Sequence, residues 1–170
     1  MPEAVDPFLN KEDIRKIKQH FIEFKQYRDL AIFILGINTG LAPKDIVTLK
    51  YSDVINNVGE IRDYIFENGY SMGKLVFDRI PLNISAKKAL QDYTSSRSCS
   101  KTYLFPSKRS AYLSVNAYTK IISHVAAINN IDGHYGFFSL RKTFLYHYFH
   151  IHQFTGFRGL KASIANGWHL

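Results

Sequence analysis

Apolar residues return every three or four positions along "KEDIRKIKQHFIEF", placing Ile14, Ile17, Phe21 and Ile22 on one stripe, with Asn10 ahead of them as an N-cap. A helix with one buried face is predicted there. The next run, "RDLAIFILGINTG", is apolar nearly all round, as a central helix is, and Gly40 closes it. Pro43 then suits the first position of a new helix and Asp45 its first turn, so helices over 29–39 and 43–50 meet at Ala42. Between Val54 and Leu82 the texture changes to β-branched and aromatic residues broken by "NN", "NG" and "MG", which predicts two or three short antiparallel strands. Helical spacing resumes in "NISAKKALQDYTSS", "YLFPSKRSAYLS" reads as a loop, and "SVNAYTKIISHVAAINN" is an amphipathic helix capped by Ser114. After the turn "IDGHYG" come the aromatic-rich helix "FFSLRKTFLYHYFH" and a last helix, "LKASIAN", ending at Gly167. This order predicts a single, mostly helical α+β domain over residues 1–170, with a small antiparallel sheet.

Composition narrows the partners. The chain has 170 residues, 46% of them hydrophobic, enough for one real core. Twenty-two Lys and Arg against 14 Asp and Glu leave a formal charge of +8, which favours a polyanionic partner such as nucleic acid. One cysteine, Cys99, excludes an intramolecular disulfide and a thiolate zinc cage and suits a reducing compartment. The opening "MPEAVDPFLN" has no apolar core region, and the longest apolar run, "LAIFILGI", is too short to span a bilayer. A soluble, cytoplasmic protein is expected, without a membrane partner.

Three stretches carry more specific information. "TGLAPKDIVTLKYSDV", "GKLVFDRIPLN" and "FFSLRKTF" occur in this order, followed by "IANGWHL". Together they resemble the catalytic domain of the tyrosine recombinases, the phage integrase family. The first is similar to a "TGLR" turn, the second to a hairpin that delivers a catalytic lysine, and the third to a His-x-Leu-Arg-His-Thr-Phe box. The last is similar to the glycine followed by His or Trp near the nucleophilic tyrosine. The resemblance implies strand transfer without metal or cofactor. A tyrosine hydroxyl attacks a DNA phosphodiester, two arginines clamp its non-bridging oxygens, and the hairpin lysine protonates the leaving oxygen.

Carried onto this chain, the resemblance assigns the second clamp arginine to Arg141 and the His-or-Trp position to Trp168. The hairpin lysine falls on Lys74, or near Gly73 or on Ser71 in other alignments. The first arginine is replaced by Ala42, the histidine before Arg141 by Phe138 and the one after it by Lys142, and no tyrosine follows Trp168 in the 170 residues. A tyrosine-bearing C-terminal segment and an N-terminal DNA-clamp domain are therefore expected to be lacking. Phe138 reads as extra core, and Arg141 either contacts phosphate or pairs with a buried carboxylate such as Asp45. His147, His150 and His152 lie close together but without a carboxylate or cysteine, so no metal is expected.

Basic residues interleave with Tyr93, Tyr103, Tyr112 and Tyr118, as in a phosphate-tracking surface. Lys44, Lys87, Lys108, Arg109, Lys120 and Lys142 are the candidate DNA contacts, in company with Lys88 and Lys101. The expected function is double-stranded DNA binding by a recombinase fold with impaired chemistry, as a regulator or accessory factor of a mobile element. Two other readings stand beside it. One is a fragment of an active integrase in which a base such as Lys44 compensates for Ala42; the other is a partner-binding or self-associating module that uses its C-terminal face.

Overall fold

Asn10 caps the first helix, α1 (Lys11–Glu23), its side-chain oxygen accepting from the Glu12 amide at 2.8 Å. The architecture is that of a computed structural model, which describes residues 4–66, 70–72, 75–96 and 102–151. Ile14, Ile17 and Phe21 of α1 are buried, but Ile22 is half exposed and faces away from the stripe it was predicted to join. It lies 100° round the helix from Phe21, beyond the buried face.

Helix α2 (Tyr27–Thr39) is the central element, buried from Asp29 to Thr39. It packs on α5 (Ile84–Ser95) and α7 (Phe137–Ile151) more extensively than on any other helix. Where α2 meets α5, Asn83 caps α5 by accepting from the Ala86 amide and donates to Asn38 Oδ1 at 2.8 Å. Asn38 in turn donates to the Ile34 carbonyl, so polar groups buried beside α2 are engaged in hydrogen bonds.

Gly40 ends α2 in the left-handed conformation, φ 64°, and fits where a Cβ would lie 2.3 Å from the Phe144 ring of α7. Pro43 opens α3 (Pro43–Val47), with Ala42 at its N-cap. The single helix expected over 43–50 is divided: α3 stops at Thr48, and α4 (Tyr51–Val54) begins after Lys50, whose amide donates to Asp53 Oδ2 at 2.7 Å. The break lets Lys50 bridge to Tyr103, and the Leu104 amide donates to the Leu49 carbonyl.

Among the described residues the antiparallel region expected between Val54 and Leu82 holds four short strands rather than two or three, in two pairs, β1 (Tyr64–Ile65) with β4 (Ile80–Pro81), and β2 (Tyr70–Met72) with β3 (Leu75–Phe77). Ser114 caps α6 (Val115–Ile128), its hydroxyl oxygen accepting from the Ala117 amide. The predicted helix "LKASIAN" and the residues Cys99, Lys101 and His152 lie outside the described residues.

The N-terminal segment contributes more than its composition suggested. Phe8 is fully buried, stacked on Tyr135 at 4.2 Å and edge-on to Phe33. Residues 5–8 form a strap across α7 and the turn before it. Asp6 exchanges hydrogen bonds with His134, Phe8 N–H donates to Thr143 Oγ1 at 2.8 Å, and His147 Nε2 donates to the Phe8 carbonyl at 2.8 Å.

Candidate functional site

Helix α7 carries Phe138, Arg141 and Lys142 at spacings of three and four, on one side of its first two turns. The other side is fixed by packing. Leu140 lies against Gly36 and Phe144 against Gly40, while Ser139 and Thr143 are buried and hydrogen-bonded. Because Gly40 touches Phe144, the turn that holds Ala42 sits beside the same stretch of α7 as Arg141. Ala42 is half-buried and offers no side-chain acceptor or donor as the N-cap of α3.

Phe138 is 55% exposed, which overturns its reading as core. The ring is carried on the outer side of α7, while Phe137 beside it takes the core position against Tyr118. Arg141 is half-buried, and among the described residues it makes no ion pair, so of its two readings the pairing with a carboxylate such as Asp45 is not what holds it.

The candidate basic residues fall into separate groups. Lys44, exposed two positions after Ala42, donates to Tyr112 Oη at 2.6 Å and lies over that ring, with Tyr103 packed on Tyr112 at 4.9 Å. Lys108 and Arg109 are exposed in the loop that leads to Tyr112, and Lys120 is exposed on α6. Helix α3 touches both α6 and α7, so Lys44 and its loop share a neighbourhood with the Arg141 helix. Lys142 is exposed and donates to the Val5 carbonyl at 2.6 Å. Lys87 instead pairs with Asp63 beside β1, and Lys88 with Asp92, which blunts their attraction for an anion. Lys74 and Trp168 lie outside the described residues, as does Gly73.

Two of the four tyrosines expected at a phosphate surface are core instead. Tyr118 is fully buried and donates to the Asp29 carbonyl at 2.8 Å; Tyr93 is buried and donates to the Leu104 carbonyl at 2.9 Å. Each had an internal carbonyl to satisfy its hydroxyl, which lets the ring contribute its apolar area to the core. Tyr103 and Tyr112 remain half-exposed.

The histidines have separate roles. His147 of α7 is buried against the strap, and burial pulls its imidazole below the ordinary range, partly offset by the bond to the Phe8 carbonyl. His150 is exposed against Tyr146. No group of three metal-ligating side chains occurs among the described residues.

The profile of the phage integrase family matches residues 7–151. A Bacillus subtilis (strain 168) protein, "Probable integrase/recombinase YoeC", is 31% identical over 147 residues, 85% of this chain and 75% of that protein. The crystal structure of XerA recombinase superposes with a TM-score of 0.67 at 20% identity, covering 96% of this chain and 59% of that one. The Tn1549 transposon integrase (residues 82–397), in complex with circular intermediate DNA, gives 0.56 at 18% identity over 84% of this chain and 53% of that one. The chain thus spans less than two thirds of each of these two structures, and at such identities they establish a common fold.

Proposed function

The chain belongs to the phage integrase family, and from that premise we propose that it binds double-stranded DNA with impaired strand-transfer chemistry, serving a mobile element as regulator or accessory factor. The observation that carries this reading is Ala42, which stands in the turn beside the Arg141 stretch of α7 and has no side-chain donor to hold a phosphate oxygen. Loss of one preorganised donor at a developing oxyanion costs about 3–4 kcal/mol, roughly 10²–10³ in rate, and a charged clamp residue at least that. The exposed phenyl ring of Phe138, in the position of a family histidine, supplies neither a proton nor a charged donor.

DNA as partner is supported by the charge of +8 and by the Tn1549 integrase, whose fold is similar and which is held on DNA. Arg141, Lys44, Lys108, Arg109, Lys120 and Lys142 are the residues assigned to phosphate, with Lys74 and Trp168 as remnants of the catalytic set. Lys87 is a weaker member, since Asp63 already neutralises it.

The test has two arms. A nicked suicide duplex incubated with the chain gives no covalent protein–DNA band on a denaturing gel; a band of the right mass overturns the loss of chemistry and favours the active-integrase reading. Anisotropy of a labelled duplex shows micromolar binding whose log K falls with log salt at a slope of roughly −4 to −5, as for about four to six neutralised phosphates. Arg141→Ala lowers that slope by about one unit. No binding at low salt overturns the DNA reading in favour of a protein-binding module.

A further inference from the structure

A groove of about 640 Å³ lies between the N-terminal halves of α6 and α7, beside the strap. Phe138 and Tyr135 supply aromatic surface, Val5 an aliphatic patch, Asn116 and Thr119 a polar wall, and Lys142 a cation. Thr119 Oγ1 accepts from the Phe137 amide at 3.3 Å and so keeps its hydroxyl proton to donate. Tyr135 is held by Phe8 stacked on it and by its own hydroxyl, which donates to the Asp132 carbonyl. Lys142, anchored to the Val5 carbonyl, retains further ammonium protons.

We propose that this groove takes an unstacked nucleobase of bound DNA, with Phe138 as its stacking surface. This rests on the DNA-binding reading above and names what that surface selects. A base has apolar faces, a hydrogen-bonding edge and an anion attached through its sugar. The groove offers an exposed phenyl ring, a carboxamide with a hydroxyl, and an ammonium group. An apolar peptide segment would cover the ring and could pair the carboxamide through its backbone, but it brings no anion for the ammonium group. The groove's volume falls within the range of small-ligand sites, about 300–1,000 Å³. Replacing the family's histidine by Phe138 then exchanges a phosphate contact for a base contact on the same helical turn.

The test compares a labelled matched duplex with the same duplex carrying one unpaired adenine, by anisotropy with the full chain. Base–aromatic stacking predicts that the bulged duplex binds about 5- to 150-fold more tightly. Phe138→Ala and Phe138→Leu bring the bulged duplex to the affinity of the matched one, while Phe138→Trp keeps the preference, because the gain needs an aromatic face. Equal binding of both duplexes by the unaltered chain, or a preference that survives Phe138→Ala, overturns the base site and leaves DNA binding standing. Binding of neither duplex removes DNA binding and the base site together. Sedimentation of the free chain covers the remaining occupant: a dimer that Phe138→Ala dissolves gives the groove to a second copy and overturns the proposal.

Discussion

Phe138 shows how one residue on a crowded helix escapes a periodicity argument. Helix α7 buries Phe137, Leu140, Phe144 and Tyr148 along one stripe, and Ser139, Thr143 and His147 along another. The second stripe is polar by composition yet fully engaged, through the Thr143 bonds to Phe8 and Ser139 and the His147 bond to the Phe8 carbonyl. A reader of the sequence therefore counts Phe138 as core, whereas its ring is exposed and the polar Thr143 is buried. The same blindness covers Tyr118 and Tyr93, whose hydroxyls are satisfied by carbonyls 89 and 11 residues away along the chain. Since Phe138 is exposed, Phe138→His leaves stability within about 0.5 kcal/mol, as other surface changes do. Thermal unfolding of the two proteins checks this, and a large drop in Tm shows that the ring is packed.

At the scale of elements, the signals that succeeded were local. Asn10 and Ser114 each cap a helix through their own side chain, and Gly40 terminates α2 with the backbone angle that glycine tolerates. The hairpin region was also legible, because turn residues and β-branched runs act over a few positions. What failed was the extent of α3, which ends where Leu49 and Lys50 join the loop around Tyr103, a pairing across some fifty residues. Of the candidate site, the placement of Arg141 on a helix and of Ala42 on a turn could be read in advance; which lysines were already spoken for could not. Gly40 is the most demanding position in this layer. Gly40→Ala combines a left-handed backbone with a Cβ driven into Phe144, so we expect a loss of about 2–4 kcal/mol in denaturant unfolding, more than a helix-end glycine alone entails. A loss below about 1 kcal/mol would mean that Phe144 yields easily.

For the whole molecule, the strap links the two ends of the described chain. The N-terminal strap was invisible in the sequence because backbone groups make most of its bonds and their partners lie beyond residue 130. His147 gives it a pH dependence. Its folded pKa lies below the ordinary 6.5 of the unfolded chain, so between the two values the unfolded state binds more protons. Stability is then full above about pH 6.5 and falls as acid protonates the imidazole. Chemical denaturation from pH 8 to pH 5 follows this, and His147→Gln flattens the profile in that window; an unchanged slope would assign the acid sensitivity elsewhere. The strap has a mechanical side too. Its bonds to Lys142, Thr143 and His147 fall on the two turns that start at Arg141, so tension applied at residue 5 is borne by the shaft that carries the arginine rather than dissipated in a loose tail. Anything that pulls or twists the chain ahead of that point, whether a fused tag or an optical trap, has a lever on the guanidinium through a few ångströms of hydrogen-bonded backbone.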